Sequence, residues 1–366
     1  MKNINYKKII SHFKVVGNFI DAKPYGSGHI NDTLLVRFEQ EGKNVKYILR
    51  KINKHVFKKP GLIVENTVMV TNHIKDKLKK NKEKDLHRKV LSLIDTFDGN
   101  YSYIDTNKDY WCLILFIDDA YTVDFVETKK QAYEAAKAFG KFQKYLSDFD
   151  VLKSHVTIEN FHNLSNRISN FDEALKKNSA NRVSGIEHEI NLANKYRYIE
   201  NDFNALQQKD IPPRITHNDT KINNVMLDSK TDEGLCVVDL DTVMPGIILN
   251  DFGDMVRTFT SPAAEDEQNT QKVFVRMDIY KEMVNGYLSE LNNILTGDEL
   301  NNLALGAKII VYEQAIRFLT DYIEGDVYYK TEYPEHNLIR AKNQFALLAS
   351  IEKNFDEMQN FIEKMI

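Results

Sequence analysis

Cysteine and tryptophan are scarce in this sequence. The two cysteines, Cys112 and Cys236, both lie in apolar runs, and Trp111 is the single tryptophan. Two cysteines in apolar surroundings indicate buried thiols rather than a disulfide. This pattern fits a reducing compartment, and we expect a cytoplasmic protein.

An excess of basic charge and a long hydrophobic run are also missing. The 366 residues carry a formal net charge of −4, which predicts no basic face and argues against a nucleic acid partner. No apolar run approaches the length that spans a membrane, and none follows the charged N-terminus as in a secretory signal. We therefore expect no membrane partner, and the length allows two lobes with a large shared core.

The most informative stretch is a polar loop that enters an apolar hairpin. The polar loop runs from His217 to Asn224, and two apolar runs follow it, Val225 to Leu227 and Leu235 to Val238. A turn rich in Asp, Ser, Lys, Thr and Gly separates these runs, which predicts a buried hairpin. Asp239 and Asp241 leave the second run at the end where the polar loop enters. We therefore expect three carboxylates and an amide to converge.

The converging residues are of the types that phosphoryl transfer uses. Such a transfer needs one carboxylate to orient and deprotonate the attacking hydroxyl, and an amide and a second carboxylate to hold Mg²⁺ on the nucleotide phosphates. In the pattern His-x-Asp-x-x-x-x-Asn, Asp219 is the predicted base. Asn224 and Asp239 are the predicted metal ligands, because a tight loop and one hairpin separate them from Asp219.

This pattern resembles the aminoglycoside phosphotransferase and choline kinase superfamily, whose fold is similar to that of protein kinases. Longer strings resemble the N-acetylhexosamine 1-kinases, which phosphorylate the anomeric hydroxyl of N-acetylglucosamine or N-acetylgalactosamine. These strings are Gly26 to Thr33, His217 to Lys221, Val238 to Gly246, Asp251 to Asp254 and Ile316 to Tyr322.

The resemblance implies an α+β protein with a two-lobed, protein-kinase-like fold. Residues 1–118 would form a nucleotide-binding lobe around a small antiparallel sheet. Residues 119–366 would form a larger, mainly helical lobe with the catalytic and sugar-binding residues. The resemblance also implies ATP, Mg²⁺ and a small sugar as ligands, and we expect a monomer.

A turn with two glycines is the first candidate site in the small lobe. Gly26 and Gly28 lie before the first predicted strand, and a glycine-containing turn between strands can bring backbone amides close to phosphates. A plain hairpin turn accounts for two glycines about equally well. The resemblance favours a phosphate-covering loop, in which His29, Asn31 and Asp32 also contact the sugar.

The second predicted strand ends in two cations, Arg50 and Lys51, one of which should contact the α- and β-phosphates. Strand alternation puts Arg50 on the face of Ile48, and the resemblance favours Arg50, but Lys51 stays open. Glu65, near the start of the next helix, is expected to support the nucleotide site by pairing with Arg50. The structural alternative is that glutamate simply favours a helix N-terminus.

The candidate acceptor residues are Arg317 and Tyr328. Arg317 lies among apolar residues of a predicted helix, where a cation needs a carboxylate or a hydroxyl-rich ligand. An internal ion pair is the ordinary explanation, whereas the resemblance places both residues against the sugar. His162, in a further string similar to the hexosamine kinases, is predicted to be a structural hydrogen-bonding residue.

The sequence Asp251-Phe-Gly invites comparison with the metal-binding motif of protein kinases, but its spacing argues against that role. Asp239 already stands at the hairpin end, where the metal ligand should be. We expect Asp251 and Asp254 to cap a helix and to pair with Arg257.

Three other functions compete with N-acetylhexosamine phosphorylation. A kinase for choline, an aminoglycoside or another sugar would keep the fold, although Arg317 would repel a cationic acceptor. The triplet Asp239-Leu-Asp241 also occurs in metal-dependent glycosyltransferases, but that function leaves the polar loop without a purpose. A non-catalytic scaffold would need none of these carboxylates. The sequence does not choose between the gluco and galacto epimers.

Hydrophobic spacing predicts the main elements. Strands are expected at 34–38, 46–52, 91–94, 101–104 and 111–117, and helices at 1–20, 62–80, 131–146, 161–175, 186–206, 272–291 and 299–322.

Overall fold

The protein was analysed as a computed structural model that describes residues 4–26, 31–54 and 56–365. It has a two-lobed, protein-kinase-like fold, with a small antiparallel sheet at the N-terminal end and a larger, mainly helical part. The elements of the small lobe are α1 (Tyr6–Ile10), β1 (Asn18–Pro24), β2 (Asp32–Gln40), β3 (Lys43–Lys51), α2 (Pro60–Lys80), α3 (Leu86–Lys89), β4 (Leu93–Ile94), β5 (Tyr103–Ile104) and β6 (Tyr110–Leu115).

The small sheet has the strand order β1, β2, β3, β6, β4, and β5 pairs with β6. Alternation along β2 and β3 turns Val36 and Leu49 into the core, where they pack with Leu113 of β6. Full burial of such a side chain contributes about 1.5–3 kcal/mol, so one buried face is enough to fix the register.

Helix α2 joins the small sheet to the rest of the molecule. Pro60 opens the helix at a position where a missing N–H costs nothing. Its first turns pack through Ile63 against the small lobe. Its later turns bury Val70, Ile74 and Leu78 in the large core. The two lobes therefore share one helix.

The large lobe is a set of packed helices with one short three-stranded sheet and one short two-stranded sheet. Its elements are β7 (Ala120–Tyr121), α4 (Lys129–Tyr145), α5 (Leu164–Lys177), α6 (Glu187–Lys195), α7 (Ile199–Ala205), β8 (Arg214–Thr216), β9 (Val225–Asp228), β10 (Gly234–Val237), β11 (Met244–Gly246), α8 (Ile248–Thr260), α9 (Met277–Leu291), α10 (Gly297–Glu324) and α11 (His336–Glu363). Helix α4 packs along α9, and α10 packs along both α8 and α11.

Helices α8 and α10 approach each other closely at two glycines. A Cβ on Gly253 would lie 2.2 Å from the carbonyl oxygen of Gly306. Only glycine permits this backbone contact. The contact holds α8 directly beside α10, and Asp251 of α8 bonds the polar loop.

Most predicted elements are confirmed, including the hairpin of β9 and β10, but two helices were wrong. The opening helix is limited to α1, after which Phe13 bridges to Thr96 and β1 begins at Asn18. Ile9 and Ile10 of this short helix and Phe13 of the bridge fill the small-lobe core, whereas Val16 is exposed. The helix predicted for 186–206 is divided by a 3-10 turn, Tyr196–Tyr198, into α6 and α7.

The buried thiols are confirmed. Cys112 and Cys236 are free and buried, and burial raises the pKa of each thiol to about 12. None of the described helices has the length and apolar character needed to cross a membrane. The boundary between residues 118 and 119 stays a prediction.

Candidate active site

The polar loop is anchored at its first residue. His217 is fully buried, and its Nε2 lies 2.9 Å from the carbonyl oxygen of Val238 at the end of β10. The backbone N–H of Asp219 donates to His217 Nδ1 at 3.3 Å. Because a carbonyl only accepts, the Nε2 carries the proton and Nδ1 is the acceptor. The ring thus ties the loop to the hairpin end.

Asp251 holds the same loop from below. Its carboxylate accepts the backbone N–H groups of His217 at 2.9 Å and Asn218 at 2.7 Å. It also accepts the side-chain amide of Gln143 at 2.8 Å. The expected pairing of Asp251 with Arg257 is therefore wrong.

The reason for that error is the position of Asp251 within α8. It lies in the first turn, facing the loop, whereas the N-cap position belongs to Ile247. The expected ion pair of Asp254 with Arg257 is confirmed at 2.7 Å, and Glu265 gives Arg257 a second partner at 2.5 Å.

Asp219 is the third residue of the polar loop. Asn224 Nδ2 donates to its backbone carbonyl at 2.8 Å and to its carboxylate at 3.1 Å. Lys221 Nζ lies 3.3 Å from the other carboxylate oxygen. Burial raises the pKa of Asp219, but the charges around it, foremost Lys221, outweigh burial and lower that pKa below its usual value. The carboxylate is therefore held ionised and oriented.

Lys221 was not among the residues singled out in the sequence. The charge of Asp219, 3.3 Å away, raises the pKa of Lys221 well above its ordinary value, so the ammonium stays charged. Its position two residues after Asp219 was the available signal, because both side chains then project from one tight loop. Lys221 brings a cation next to the predicted base.

Asp239 and Asp241 follow the hairpin, as predicted, and both reach Arg50 of the small lobe. Arg50 lies 3.2 Å from the carboxylate of Asp239 and 2.6 Å from that of Asp241. Asp239 has a left-handed backbone, with φ of 57°, which redirects the chain into the 3-10 turn Leu240–Thr242. Asn31 adds a hydrogen bond to Asp241 at 2.5 Å.

The two cations of β3 point to opposite faces, because strand residues alternate. Arg50 faces Asp239 and Asp241, whereas Lys51 pairs with Asp32 at 2.5 Å and lies 5.8 Å from the ring of Trp111. The structure thus brings Arg50 to the carboxylates and keeps Lys51 and Asp32 away from them.

The glycine turn is only partly described. Gly26 has φ of +80° and open space around its Cα, as a turn requires. Gly28 and His29 lie outside the described residues. Asn31, at the end of this turn, accepts the backbone N–H of Asn53 at 2.9 Å.

The expected pair of Glu65 with Arg50 is not formed. Glu65 lies 2.9 Å from His155 on the outer face of α2, with 58% of its side chain exposed. The neighbouring Asn66 faces inward and donates to the carbonyls of His155 and Val243. Consecutive side chains of a helix are about 100° apart around its axis. Asn66 therefore faces the junction of the two lobes, and Glu65 does not.

Asn224 and Asp239 fit a magnesium site that a nucleotide completes. The amide nitrogen of Asn224 donates to Asp219, and no donor within the described residues bonds its Oδ1, which leaves this oxygen available to a metal ion. Burial and then the charge of Asp241 raise the pKa of Asp239. The positive charge of Arg50 lowers this pKa, but by less than the other two effects raise it. A divalent cation would balance this negative charge. In the described chain no group of three or more His, Cys, Asp or Glu could hold a metal alone, so phosphates would supply further ligands.

Arg317 lies in what we call the arginine pocket, formed by Phe161, Arg167, Gln314, Arg317, Tyr328 and Tyr329. Its guanidinium donates to Gln314 at 3.0 Å. The guanidinium carbon lies 5.5 Å from the ring centroids of Phe161 and Tyr329 and 5.9 Å from that of Tyr328. Among the described residues no carboxylate pairs with Arg317, so the internal ion pair is not formed.

Two further charged residues of this region were missed. Arg167 donates to the carbonyl of Phe161 at 2.8 Å, and Glu313 is buried beside it at 4.0 Å. Burial and then the charge of Arg317 lower the pKa of Arg167, which shows that two cations crowd one carboxylate. The sequence holds Arg167 and Glu313 on different helices, and nothing in it indicates that they meet.

Asp321 builds the wall that carries the two tyrosines. It accepts the backbone N–H groups of Tyr328 at 2.7 Å and Tyr329 at 2.9 Å, and the amide of Asn337 at 2.8 Å. These bonds fold the segment after α10 back towards Arg317. Tyr328 lies on the exposed side of the arginine pocket.

Comparison with known proteins supports the same fold. A microcompartment-associated aminopropanol kinase superposes with a TM-score of 0.66 at 14% identity, covering 97% of this chain and 98% of that one. A choline/ethanolamine kinase family protein from Mesorhizobium loti gives 0.58 at 13%, covering 98% and 97%. The GDP complex of aminoglycoside 2′-phosphotransferase-IIIa gives 0.57 at 13%, covering 94% and 99%.

Residues 118–274, which contain the polar loop and the hairpin, match the family described as the phosphotransferase enzyme family. The chain therefore has the two-lobed fold of aminoglycoside phosphotransferases and choline kinases, and its central segment is similar to the phosphotransferase enzyme family.

Proposed function

We propose that the protein transfers the γ-phosphoryl group of ATP to the anomeric hydroxyl of an N-acetylhexosamine. The observation that carries this proposal is the position of Asp219. Its ionised carboxylate is oriented by Asn224 and lies 3.3 Å from Lys221. A carboxylate beside a fixed cation can accept the proton of an incoming hydroxyl while the cation faces the transferred phosphoryl group.

Asp219 would orient the acceptor and take its proton late in the reaction. The anomeric hydroxyl is more acidic than an ordinary alcohol, so a weakly basic carboxylate suffices. The lowered pKa of Asp219 keeps it ionised near neutral pH. Transfer would be direct from ATP to the acceptor, and alignment of the two oxygens supplies much of the rate.

Arg50 and Lys221 would bind the phosphates from two sides. Arg50 reaches the site from the small lobe and Lys221 from the large lobe. Asn224 and Asp239 would hold Mg²⁺, which when bound neutralises phosphate charge. The turn with Gly26 and Gly28 would cover the phosphates. Glu65 has no direct part in this arrangement, since it lies on the outer face of α2.

The arginine pocket would hold the acceptor. Arg167 and Arg317 outnumber the single carboxylate of Glu313, so the pocket favours an acceptor rich in oxygen over a cation. A sugar offers hydroxyl and acetamido oxygens to these guanidinium groups. The exposed ring of Tyr328 offers an apolar face to the sugar ring, and Asn31, which bonds Asp241, would approach from the small lobe.

A second candidate is an amino alcohol or an aminoglycoside. The names of the superposed structures favour it, since they include an aminopropanol kinase and an aminoglycoside phosphotransferase. The excess of positive charge in the arginine pocket disfavours it, because both acceptor classes are cations. We further propose a cytoplasmic monomer, with residues 1–118 as the nucleotide lobe and 119–366 as the catalytic lobe.

ADP release with ATP and Mg²⁺ tests the substrate. The panel comprises N-acetylglucosamine, N-acetylgalactosamine, their 1-O-methyl glycosides, choline and kanamycin. Turnover of the free sugars without turnover of the methyl glycosides supports phosphorylation of the anomeric oxygen. Turnover of choline or kanamycin alone overturns the sugar proposal.

An Asp219→Asn variant tests the chemistry on the same panel. It should still bind nucleotide and should lose roughly 10²- to 10⁴-fold in kcat. Normal turnover in this variant removes Asp219 from the mechanism. Asp172→Asn is the matched control, because Asp172 pairs with Arg197 near the protein surface.

A further inference from the structure

His162 connects the arginine pocket to the polar loop. Its Nδ1 lies 3.1 Å from the carboxylate of Glu313 on α10. Its Nε2 lies 3.3 Å from the backbone carbonyl oxygen of Asn218, the residue before Asp219. The side chains of His162 and Glu313 are only 10% and 2% exposed, so water does not compete freely for these contacts.

The two partners determine the protons on the ring. A backbone carbonyl can only accept a hydrogen bond, and an ionised carboxylate can only accept one as well. A neutral imidazole has a single N–H, which would leave one nitrogen facing an acceptor without a proton. Both contacts are satisfied together when His162 is the imidazolium, which donates from both nitrogens.

The surrounding charges make Glu313 the counterion of this ring. Glu313 Oε2 is buried and has no hydrogen-bond partner within the described residues. Arg167 on α5 lies 4.0 Å from the other oxygen, and Arg317 on α10 lies close enough to Arg167 to lower the pKa of that arginine. The phenols of Tyr328 and Tyr329 and the guanidinium of Arg257 also act on this cluster.

Asn218 needs such a contact because its backbone is unusual. Its φ of 62° lies in the left-handed region, which costs free energy for any residue with a side chain. Asp251 holds its N–H, and its side chain bonds Thr216 and the carbonyl of Thr242. His162 supplies the remaining restraint, on the Asn218 carbonyl. This peptide group leads directly into Asp219.

We propose that His162, held as an imidazolium by Glu313, is a positioning residue that fixes the Asn218 carbonyl and thereby the direction of the Asp219 carboxylate. The inference rests on the proposed function in so far as Asp219 is the base. It also makes α10 a link between two parts of the site, because Glu313 and Arg317 lie one helical turn apart on that helix.

Histidine ring NMR tests the protonation directly. In ¹⁵N-histidine protein, the signals that disappear in His162→Gln belong to His162. Both ring nitrogens of His162 should be protonated at pH 7 in the wild type, and only one of them in Glu313→Gln. A singly protonated His162 at pH 7 in the wild type overturns the proposal. This measurement needs no acceptor, so a failure of the proposed substrate does not affect it.

Kinetics test the positioning role. Glu313→Gln and His162→Gln should lower kcat on the order of 10- to 100-fold, as misalignment of a reacting group does, while the KM for ATP stays within about twofold. Rates equal to those of the wild type, in folded variants, overturn the role.

A control variant separates positioning from a general loss of fold. Glu173→Gln removes a carboxylate from the exposed face of α5, where Glu173 pairs with Lys177. It should leave kcat and the KM for ATP unchanged. Thermal unfolding of each variant identifies any that fails to fold, and the ring protonation and kcat of Glu313→Gln decide the proposal if His162→Gln is unstable.

Discussion

The carboxylate of Asp251 accepts the backbone N–H of Asn218 at 2.7 Å, across 33 positions of the chain. It accepts the N–H of His217 as well, so one buried side chain of α8 satisfies two consecutive peptide groups of the polar loop. Buried peptide groups need such partners. The shape of the loop that carries Asp219 is therefore set by a residue that touches no substrate.

Asp251→Asn should destabilise the protein and slow turnover together. The new amide must present an NH₂ group to one of the N–H donors that Asp251 now accepts, which leaves a buried donor without a partner. We expect a loss of about 1 to 3 kcal/mol in the free energy of unfolding and a lower kcat. Denaturant unfolding and steady-state kinetics measure both. An unchanged stability would show that the loop holds its shape without Asp251.

Local signals of the site were readable in the sequence. The five-residue spacing of Asp219 and Asn224 determines a tight loop, and the two apolar runs determine the hairpin that delivers Asp239. Alternation along β3 correctly placed Arg50 opposite to Lys51. These features depend on neighbouring residues, for which periodicity is informative.

Long-range contacts were not readable. Glu65 and Asn66 are adjacent, and only the packed structure shows that Asn66 reaches Val243 while Glu65 faces outward. Likewise, Arg167 and Glu313 meet because α5 and α10 pack together. Hydrophobic patterns indicate that a helix is buried, but not which element its polar residues will meet.

Arg50→Met and Lys51→Met should differ in their effect on nucleotide use. Arg50 reaches the carboxylates between the lobes, whereas Lys51 lies on the opposite face with Asp32. Loss of a charged hydrogen bond to phosphate should raise the KM for ATP by roughly 10- to 100-fold in Arg50→Met. Lys51→Met is the matched control and should change it by less than about threefold. Equal effects of the two substitutions on this KM would contradict the assignment of Arg50 to the phosphates.

Arg317→Ala should affect the acceptor and not the nucleotide. Its guanidinium has one hydrogen bond to Gln314 and three aromatic neighbours, so its remaining donors are available to a ligand. The KM for the acceptor should rise by about tenfold or more, and the KM for ATP should stay unchanged. Arg197→Ala, which breaks a partly exposed pair with Asp172, is the control. If the acceptor KM does not move, Arg317 is structural.

Arg88 should prove important for nucleotide binding although it was not singled out in the sequence. Its guanidinium donates to the carbonyls of Asp118 at 3.2 Å and Asp119 at 2.8 Å, in the segment between β6 and β7. It also donates to Asp228 of the hairpin at 2.9 Å. The side chain of Arg88 thus fixes the segment between β6 and β7 against the hairpin that precedes Asp239.

Arg88→Ala should therefore loosen the junction of the two lobes. Three hydrogen bonds are lost and the Asp228 carboxylate loses its cation, so we expect a loss of about 1 to 3 kcal/mol in the free energy of unfolding and a higher KM for ATP. The neighbouring Lys89 pairs only with Glu83 among the described residues, which makes Lys89→Ala the matched control. Thermal unfolding with and without ATP measures both effects. A variant with wild-type stability and ATP affinity would show that other contacts of the two lobes hold the segment between β6 and β7 in place.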